Sequence, residues 1–408
     1  MNTQEELTDE KTKCKTRCIS VKGRLIISFF CIVGDVLSWT IRAEFFQGIE
    51  GIYNKPIFIS YVVHSCYVFF FFAWLVLRYF PLILKSRRIK PSIYSWKYYL
   101  LISCIFTIII FAFNYTWYLS LPLTEVAANT AIYEAATAFV FIFSVPILGE
   151  RVTLVKILSL IVSIIGVCLI SLFPGQSNAN RTVIIHNLSN LTNRSSNMTV
   201  LTEATINNST LGYSLVIFST VLYSLYEVLY KRLSSSPRDT SPIHNTIRML
   251  GLIGIWYMIL VAPFLLIAHF TGLEKFEIPS LNVALLILLN SALDGFSNIL
   301  ILIGIVLSSP LFISMGALLA LPTSMLADYI FHKIVMSNLS ILGAVCILVG
   351  FIGFIISTVL HDHTDNNRES SRCFSLKKGW TIKNYFFLYS VGWYSTVNSE
   401  DVKPLLNR

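Results

Sequence analysis

The sequence predicts an all-α membrane protein, with ten transmembrane helices arranged as two inverted five-helix repeats. Three observations carry this. Apolar residues make up 55% of the 408 positions and charged residues only 13%, too little charge to solvate the surface of a soluble chain of this length. The apolar residues gather in runs of the roughly 20 residues that a helix needs to cross a ~30 Å hydrocarbon core. A polar segment at 174–210 divides these runs into two sets of five that resemble each other.

The runs are expected near 25–42, 57–80, 98–119, 122–149 and 152–173, then 211–233, 247–270, 281–307, 310–332 and 338–360. Pro81, Pro122, Pro174, Pro279 and Pro310 stand at their ends, where a missing N–H costs little. The organisation is therefore a polar, basic tail at 1–24, a first repeat at 25–173, the central loop at 174–210, a second repeat at 211–360 and a polar tail at 361–408. No cleavable signal peptide is visible, and the first run reads as a retained signal anchor.

Charge orients the spans. Lys11, Lys13, Lys15, Arg17, Lys22 and Arg24 precede span one. Lys85, Arg87, Arg88, Lys90 and Lys97 follow span two, and Lys231, Arg232 and Arg238 follow span six. The alternate connections carry Glu44, Glu50, Glu274 and Glu277 instead. By the positive-inside rule both termini are expected in the cytosol. The same placement explains the net charge of +9 without any nucleic-acid footprint, so no nucleic-acid partner is expected.

The central loop bears this orientation independently. Asn187, Asn190, Asn193, Asn197, Asn207 and Asn208 each begin an Asn-x-Ser/Thr triplet, the acceptor pattern for N-glycosylation. Six in one segment on the non-cytosolic side mark a lumenal or extracellular glycosylated loop, with partial occupancy where triplets crowd. Asn114 lies inside a span and Asn338 too near the bilayer to serve. The eight cysteines give no disulfide or zinc framework. Cys14 and Cys18 are placed for acylation beside a membrane, and a free thiol is the plainer reading.

The halves match at an offset of 184. Asn114 answers Asn298, and the run from Thr153 through Ile157 and Leu158 to Gly166 answers Ser337, Ile341, Leu342 and Gly350. Span four begins Ser120-Leu-Pro122 and span nine Ser308-Ser-Pro310. An odd number of spans per repeat inserts the second half upside down, the architecture of secondary transporters with a site between the halves near the midplane.

Polar residues inside the spans are the candidate cavity lining, because a carboxylate in lipid costs ~2.5–3.5 kcal/mol even on the lenient insertion scale. Asn290, Asp294 and Asn298 fall four apart on span eight and form one stripe. Span four offers Asn129 and Tyr133 on one face with Glu134 beside it. Span one offers Asp35, span three Asn114, and span six Glu227. Plainer alternatives stand beside each: an interhelical hydrogen-bond ladder on span eight, a local Asp35–Arg42 pair, a Glu227–Lys231 pair with Lys231 snorkelling to the interface, and His64 as a satisfied bundle histidine. No P-loop, His-Glu-x-x-His or Gly-x-Ser-x-Gly motif occurs, so no enzyme activity, metal or cofactor is expected.

The stretch Pro146-Ile-Leu-Gly-Glu150-Arg151, leading into the Gly166 helix, resembles a repeat junction of the drug/metabolite transporter superfamily (EamA-like). Tyr223-Ser-Leu-Tyr-Glu-Val-Leu-Tyr-Lys231, Thr271-Gly-Leu-Glu-Lys-Phe-Glu-Ile-Pro279 and Leu321-Pro-Thr-Ser-Met-Leu-Ala-Asp328 look closest to solute carrier family 35, subfamily F. The resemblance covers about 25–360. It implies ten helices, inverted repeats and solute exchange or proton-linked transport of a small molecule, with thiamine and nucleotide sugars among the relatives' substrates. The sequon-rich central loop, Glu134 and Asp294 depart from the pattern. Four intramembrane acids with few cations suit a cationic or neutral solute better than a nucleotide sugar. A nucleotide-sugar antiporter, and a receptor or scaffold that keeps the fold without transport, are the alternatives.

The C-terminal tail holds an aromatic stretch from Trp380 to Tyr394, suited to the membrane interface. Near its end, Asp401, Leu405 and Leu406 form an acidic dileucine pattern, a short signal for endosomes and lysosomes that also recurs by chance. The expected address is the endomembrane system: plasma membrane, Golgi or endosome and lysosome. Enzymatic removal of N-glycans is expected to collapse a slow, heterogeneous gel band to one faster band. Replacing all six central asparagines by Gln is expected to abolish that shift, and an unchanged band would reverse the orientation.

Overall fold

The computed structural model describes residues 21–50, 53, 55–79, 95–150, 152–173, 199–234, 242–333 and 335–372. The dileucine pattern, the Trp380–Tyr394 stretch and the triplets at Asn187, Asn190, Asn193 and Asn197 lie outside these residues. The described part is nearly all helix: α1 (Val21–Glu50), α2 (Pro56–Ser65), α3 (Val68–Tyr79), α4 (Trp96–Ser120), α5 (Val126–Glu134), α6 (Ala136–Leu148), α7 (Leu154–Leu172), α8 (Thr199–Ser234), α9 (Pro242–Thr271), α10 (Leu281–Leu307), α11 (Pro310–Ala317), α12 (Ala320–Ala327) and α13 (Asn338–Arg372). These supply ten spans long and apolar enough to cross a membrane. Each falls within a few residues of its expected position. Helix α8 begins about three turns before the expected start of span six, so Asn207 and Asn208 lie on a helix rather than in a loop.

Span two is divided into α2 and α3, span four into α5 and α6, and span nine into α11 and α12. The sequence reading has all three continuous, and local hydrogen bonding explains the breaks. In span two, Tyr67 N donates to His64 O at 3.2 Å and Phe70 N to Tyr67 O at 2.9 Å, the tighter i→i−3 pattern. In span nine Pro322 has no N–H for the Leu318 carbonyl, and Leu321 N takes that carbonyl at 3.2 Å. In span four Ala135 turns to ψ −5, and Ala138 N bonds back to it at 2.9 Å. Irregular backbone at membrane depth is tolerated where protein or a cavity, not lipid, faces it.

The packing is pairwise. Span one lies on span eight, and span six on span three. Span nine touches span one, and span four touches span six. Spans five and ten lie together, as do spans two and seven. The outward faces carry exposed Phe30, Phe69, Leu154, Leu266 and Ile341, which hydrocarbon solvates without penalty. One close seam joins spans five and ten. Gly166 lies against the Gly343 carbonyl and Ile347, while Gly350 lies against Ser159 and Ser163. Small residues let two backbones meet where no hydrophobic effect drives association.

Helix ends follow ordinary capping chemistry. Thr153 Oγ1 accepts from Lys156 N at 3.3 Å, and Ser337 Oγ accepts from Ser340 N at 3.1 Å, each satisfying an orphan donor. In the connection after span four, burial pushes the Glu150 carboxyl up, against the opposing pull of Lys156, Ser309 and Lys231. On the opposite side of the bundle, Glu274 closes the entry to span two by accepting from Ile57 N and Phe58 N, both at 2.9 Å. Tyr53 donates to the Glu277 carbonyl at 2.5 Å beside it.

Replacing Gly343 by Leu forces apart the backbones of spans five and ten. The expected loss is ~1–3 kcal/mol of stability, read as a lower midpoint of thermal unfolding in detergent. A midpoint equal to the native protein's would show that the seam is not close-packed.

Candidate functional site

The site forms where spans one, two and eight meet. Asp294, at mid-length of α10 and 5% exposed, accepts the Tyr67 hydroxyl at 2.5 Å on one carboxylate oxygen. The other oxygen receives the Arg42 guanidinium. The break between α2 and α3 is what presents Tyr67 there. Arg42 in turn lies 4.5 Å from the centre of the Trp39 ring, a cation–π contact that offsets part of its desolvation. One turn after Asp294, Asn298 Nδ2 donates to the Asp294 carbonyl at 3.0 Å. Asp35 does not form the local pair with Arg42. It accepts instead from Ser297 on α10, so both charges of span one are answered by span eight.

A second group surrounds α2. Asn114 Nδ2 donates to the Ile110 carbonyl at 2.9 Å and lies 3.3 Å from His64 Nε2. An amide nitrogen only donates, so Nε2 is the acceptor and Nδ1 carries the proton that goes to the Ser60 carbonyl at 2.8 Å. The ring stacks on Tyr257 at 4.7 Å. His64 is a satisfied bundle histidine in its neutral form.

The third group forms an acidic, aromatic wall. Tyr133 stacks on Tyr223 at 5.6 Å and meets Trp117 at 5.7 Å. Tyr223 donates to Glu227 Oε1 at 3.0 Å. Glu227 Oε2 has no hydrogen-bond partner, and the residue is 2% exposed. Glu134 is half-buried at the end of α5, next to the break in span four. Both glutamates lie within electrostatic range of Asp35. The alternative Glu227–Lys231 pair does not form. Lys231 Nζ donates to the Val306 and Ser308 carbonyls at 2.8 and 2.9 Å, where a cation completes the C-terminal end of α10.

Two candidates remain, Asn129 and Asn290. Asn129 has its oxygen taken by Trp117 Nε1 at 3.1 Å, and its amide nitrogen gives to Ser120 and Thr124 at 2.8 Å each. It ties the turn between spans three and four and aims Trp117. Asn290 is buried one turn before Asp294, with its Oδ1 unpartnered. Sequence reasoning missed Tyr67, Trp39, Trp117 and Tyr223 as site residues, because each sits in a run where aromatic residues are common. It named Arg42 only as a partner for Asp35. An arginine at a span end is ordinarily an interfacial anchor, and only the fold turns it inward.

Residues 27–172 match the EamA-like transporter family. The chain is 28% identical to an uncharacterized transporter of Schizosaccharomyces pombe, over 60% of this chain and 65% of that protein. It is 26% identical to solute carrier family 35 member F5 of Macaca fascicularis, over 64% of this chain and 54% of that one. A thiamine-repressible mitochondrial transport protein of Saccharomyces cerevisiae is 24% identical over 68% of this chain and 66% of its own length. The chain thus spans between about 44% and 66% of the length of the curated relatives it matches. A solved crystal structure superimposes with a TM-score of 0.57 at 14% identity, covering 81% of this chain and 97% of that one, a likeness of fold alone.

Removing Arg42 leaves a buried carboxylate without its cation. Arg42→Ala is expected to cost about 3–5 kcal/mol of stability, while the double variant Arg42→Ala/Asp294→Asn recovers much of it. Unfolding midpoints across the four proteins measure the coupling. Strictly additive losses would show that the pair contributes nothing.

Proposed function

We propose that this chain, which resembles the drug/metabolite transporters and solute carrier family 35 subfamily F, is a secondary transporter of a small organic cation, working by alternating access between two inverted halves. The observation that carries the substrate class is the charge balance of the chamber. In this reading Asp35, Glu134, Glu227 and Asp294 line it, and Arg42 is already held by Asp294. Negative charge beside the stacked Tyr133 and Tyr223 rings favours a flat cation through both Coulomb attraction and ring quadrupoles. Thiamine is such a molecule, and one relative is named for its repression by thiamine. A nucleotide sugar would need free cations for its phosphates, and the one arginine of the chamber is occupied.

Several contacts support the inverted halves. Ser159, Ser163 and Gly166 stand 184 residues before Gly343, Ile347 and Gly350. Gly166 meets Gly343 and Ile347 while Gly350 meets Ser159 and Ser163, the reciprocal contacts that a two-fold axis generates. The same offset relates the caps Thr153 and Ser337. It also relates the left-handed residues Gly149 (φ 70) and Lys333 (φ 55), which end spans four and nine. Exchanging spans one to five for six to ten leaves the packing scheme unchanged. The broken spans four and nine are the kind of discontinuous helix that lines a transporter's site. In this reading both termini are cytosolic, the central loop is lumenal and glycosylated, and the protein serves an endomembrane or the cell surface.

Proteoliposomes carrying the full-length protein and preloaded with unlabelled thiamine are expected to take up labelled thiamine by exchange. Glu134→Gln and Asp35→Asn are each expected to lower that uptake at least about tenfold, the equivalent of ~1.4 kcal/mol. Uptake no greater than in protein-free liposomes would remove thiamine. Variants that exchange it at the native rate would remove the acidic chamber as its site.

A further inference from the structure

We propose that Glu227 is the proton-carrying carboxyl of the chamber, holding a proton while the chamber is empty and releasing it when an organic cation enters. The proposal rests on the transporter reading above and assigns one residue to its coupling. The acids of the chamber are not equivalent. Asp294 has a guanidinium on one oxygen and a tyrosine hydroxyl on the other, so it is held as a carboxylate. Asp35 has Ser297. Glu227 has a neutral donor on Oε1 alone, and its Oε2 is buried with nothing to bond. A carboxylate left with an unsatisfied oxygen away from water costs several kcal/mol, whereas a protonated carboxyl does not carry that charge.

The groups facing Glu227 agree with a proton there. Its own helix supplies Tyr223 and Tyr226, and span four supplies Tyr133, all within its electrostatic reach and all neutral hydroxyls. Span one supplies Asp35, whose negative charge opposes a second one. Span three presents the uncharged rings of Phe106 and Phe113 to Tyr226 and Tyr223. Helix α11 of span nine contains no titratable residue. The nearby cations are committed elsewhere: Lys231 one turn on to the Val306 and Ser308 carbonyls, Arg42 to Asp294, and Arg248 of span seven over the Tyr99 ring at 3.4 Å. When a monovalent cation binds beside Tyr133 and Tyr223, the Glu227 O–H bond breaks and its proton passes to water on the open side. The chamber keeps the same net charge, so one cation exchanges for one proton.

The test uses dicyclohexylcarbodiimide, which reacts with protonated carboxyls in apolar surroundings, on the full-length protein in proteoliposomes, with peptide mass mapping. Labelling is expected at Glu227 and to increase as pH falls. It is expected to persist in Asp294→Asn and to be suppressed by tetraethylammonium or thiamine. Glu227→Gln keeps an acceptor for Tyr223 and a native unfolding midpoint but loses the label, and Glu227→Asp restores a titrating label. Labelling at Asp35 or Glu134 with none at Glu227, or labelling at Glu227 that neither cation suppresses, overturns the inference. Thiamine exchange that keeps its pH dependence in Glu227→Gln overturns it too, while leaving the transport reading in place. A Glu227 that titrates and is shielded by tetraethylammonium, in a protein that exchanges no thiamine, upholds the inference and removes the thiamine reading.

Discussion

A charge within hydrocarbon must find a partner or lose its charge, and this constraint arranges the centre of the molecule. Arg42 and Asp294 meet each other, and the contact dictates much around it. It turns the end of span one inward, holds span one along span eight, and requires Tyr67 to arrive from the break in span two. Ser297 on Asp35 and Ser38 on the Leu293 carbonyl extend the same seam. Without these contacts span one would carry two buried charges with no reason to stay in the bundle.

The broken spans follow from the same economy of polar groups. A backbone that departs from α-geometry leaves donors and acceptors that lipid cannot satisfy. In spans two, four and nine the shorter i→i−3 bonds take up much of that loss, and the breaks lie close to Tyr67, Glu134 and the face of span nine that meets span one. Irregular backbone therefore lies beside these buried polar groups, while the glycine-lined seam of spans five and ten is regular.

Residues 184 apart share local backbone contacts but not chemistry. At the common offset of 184, Asn114 and Asn298 make the same bond to the carbonyl four residues back. The residue supplying that carbonyl is Ile110 in one half and Asp294 in the other. Glu134 answers to Leu318, and Arg42 to Tyr226. At these positions the backbone contacts are alike while the charges are not.

The number and approximate positions of the ten spans were legible in the sequence, because hydrocarbon thickness prescribes a run length. The stripe of Asn290, Asp294 and Asn298 was legible too, since helical periodicity alone places residues four apart on one face. Partners across helices were not. Whether Arg42 turns to Asp35 or to Asp294, whether Lys231 meets Glu227 or the end of α10, and whether Asn129 lines a chamber or ties a turn depend on contacts between segments distant in sequence. The breaks in spans two and four leave no proline signal where they occur, and they set the position of Tyr67 and the surroundings of Glu134. One-dimensional periodicity tells which residues share a helix face, and only the packing of one helix on another decides what that face meets.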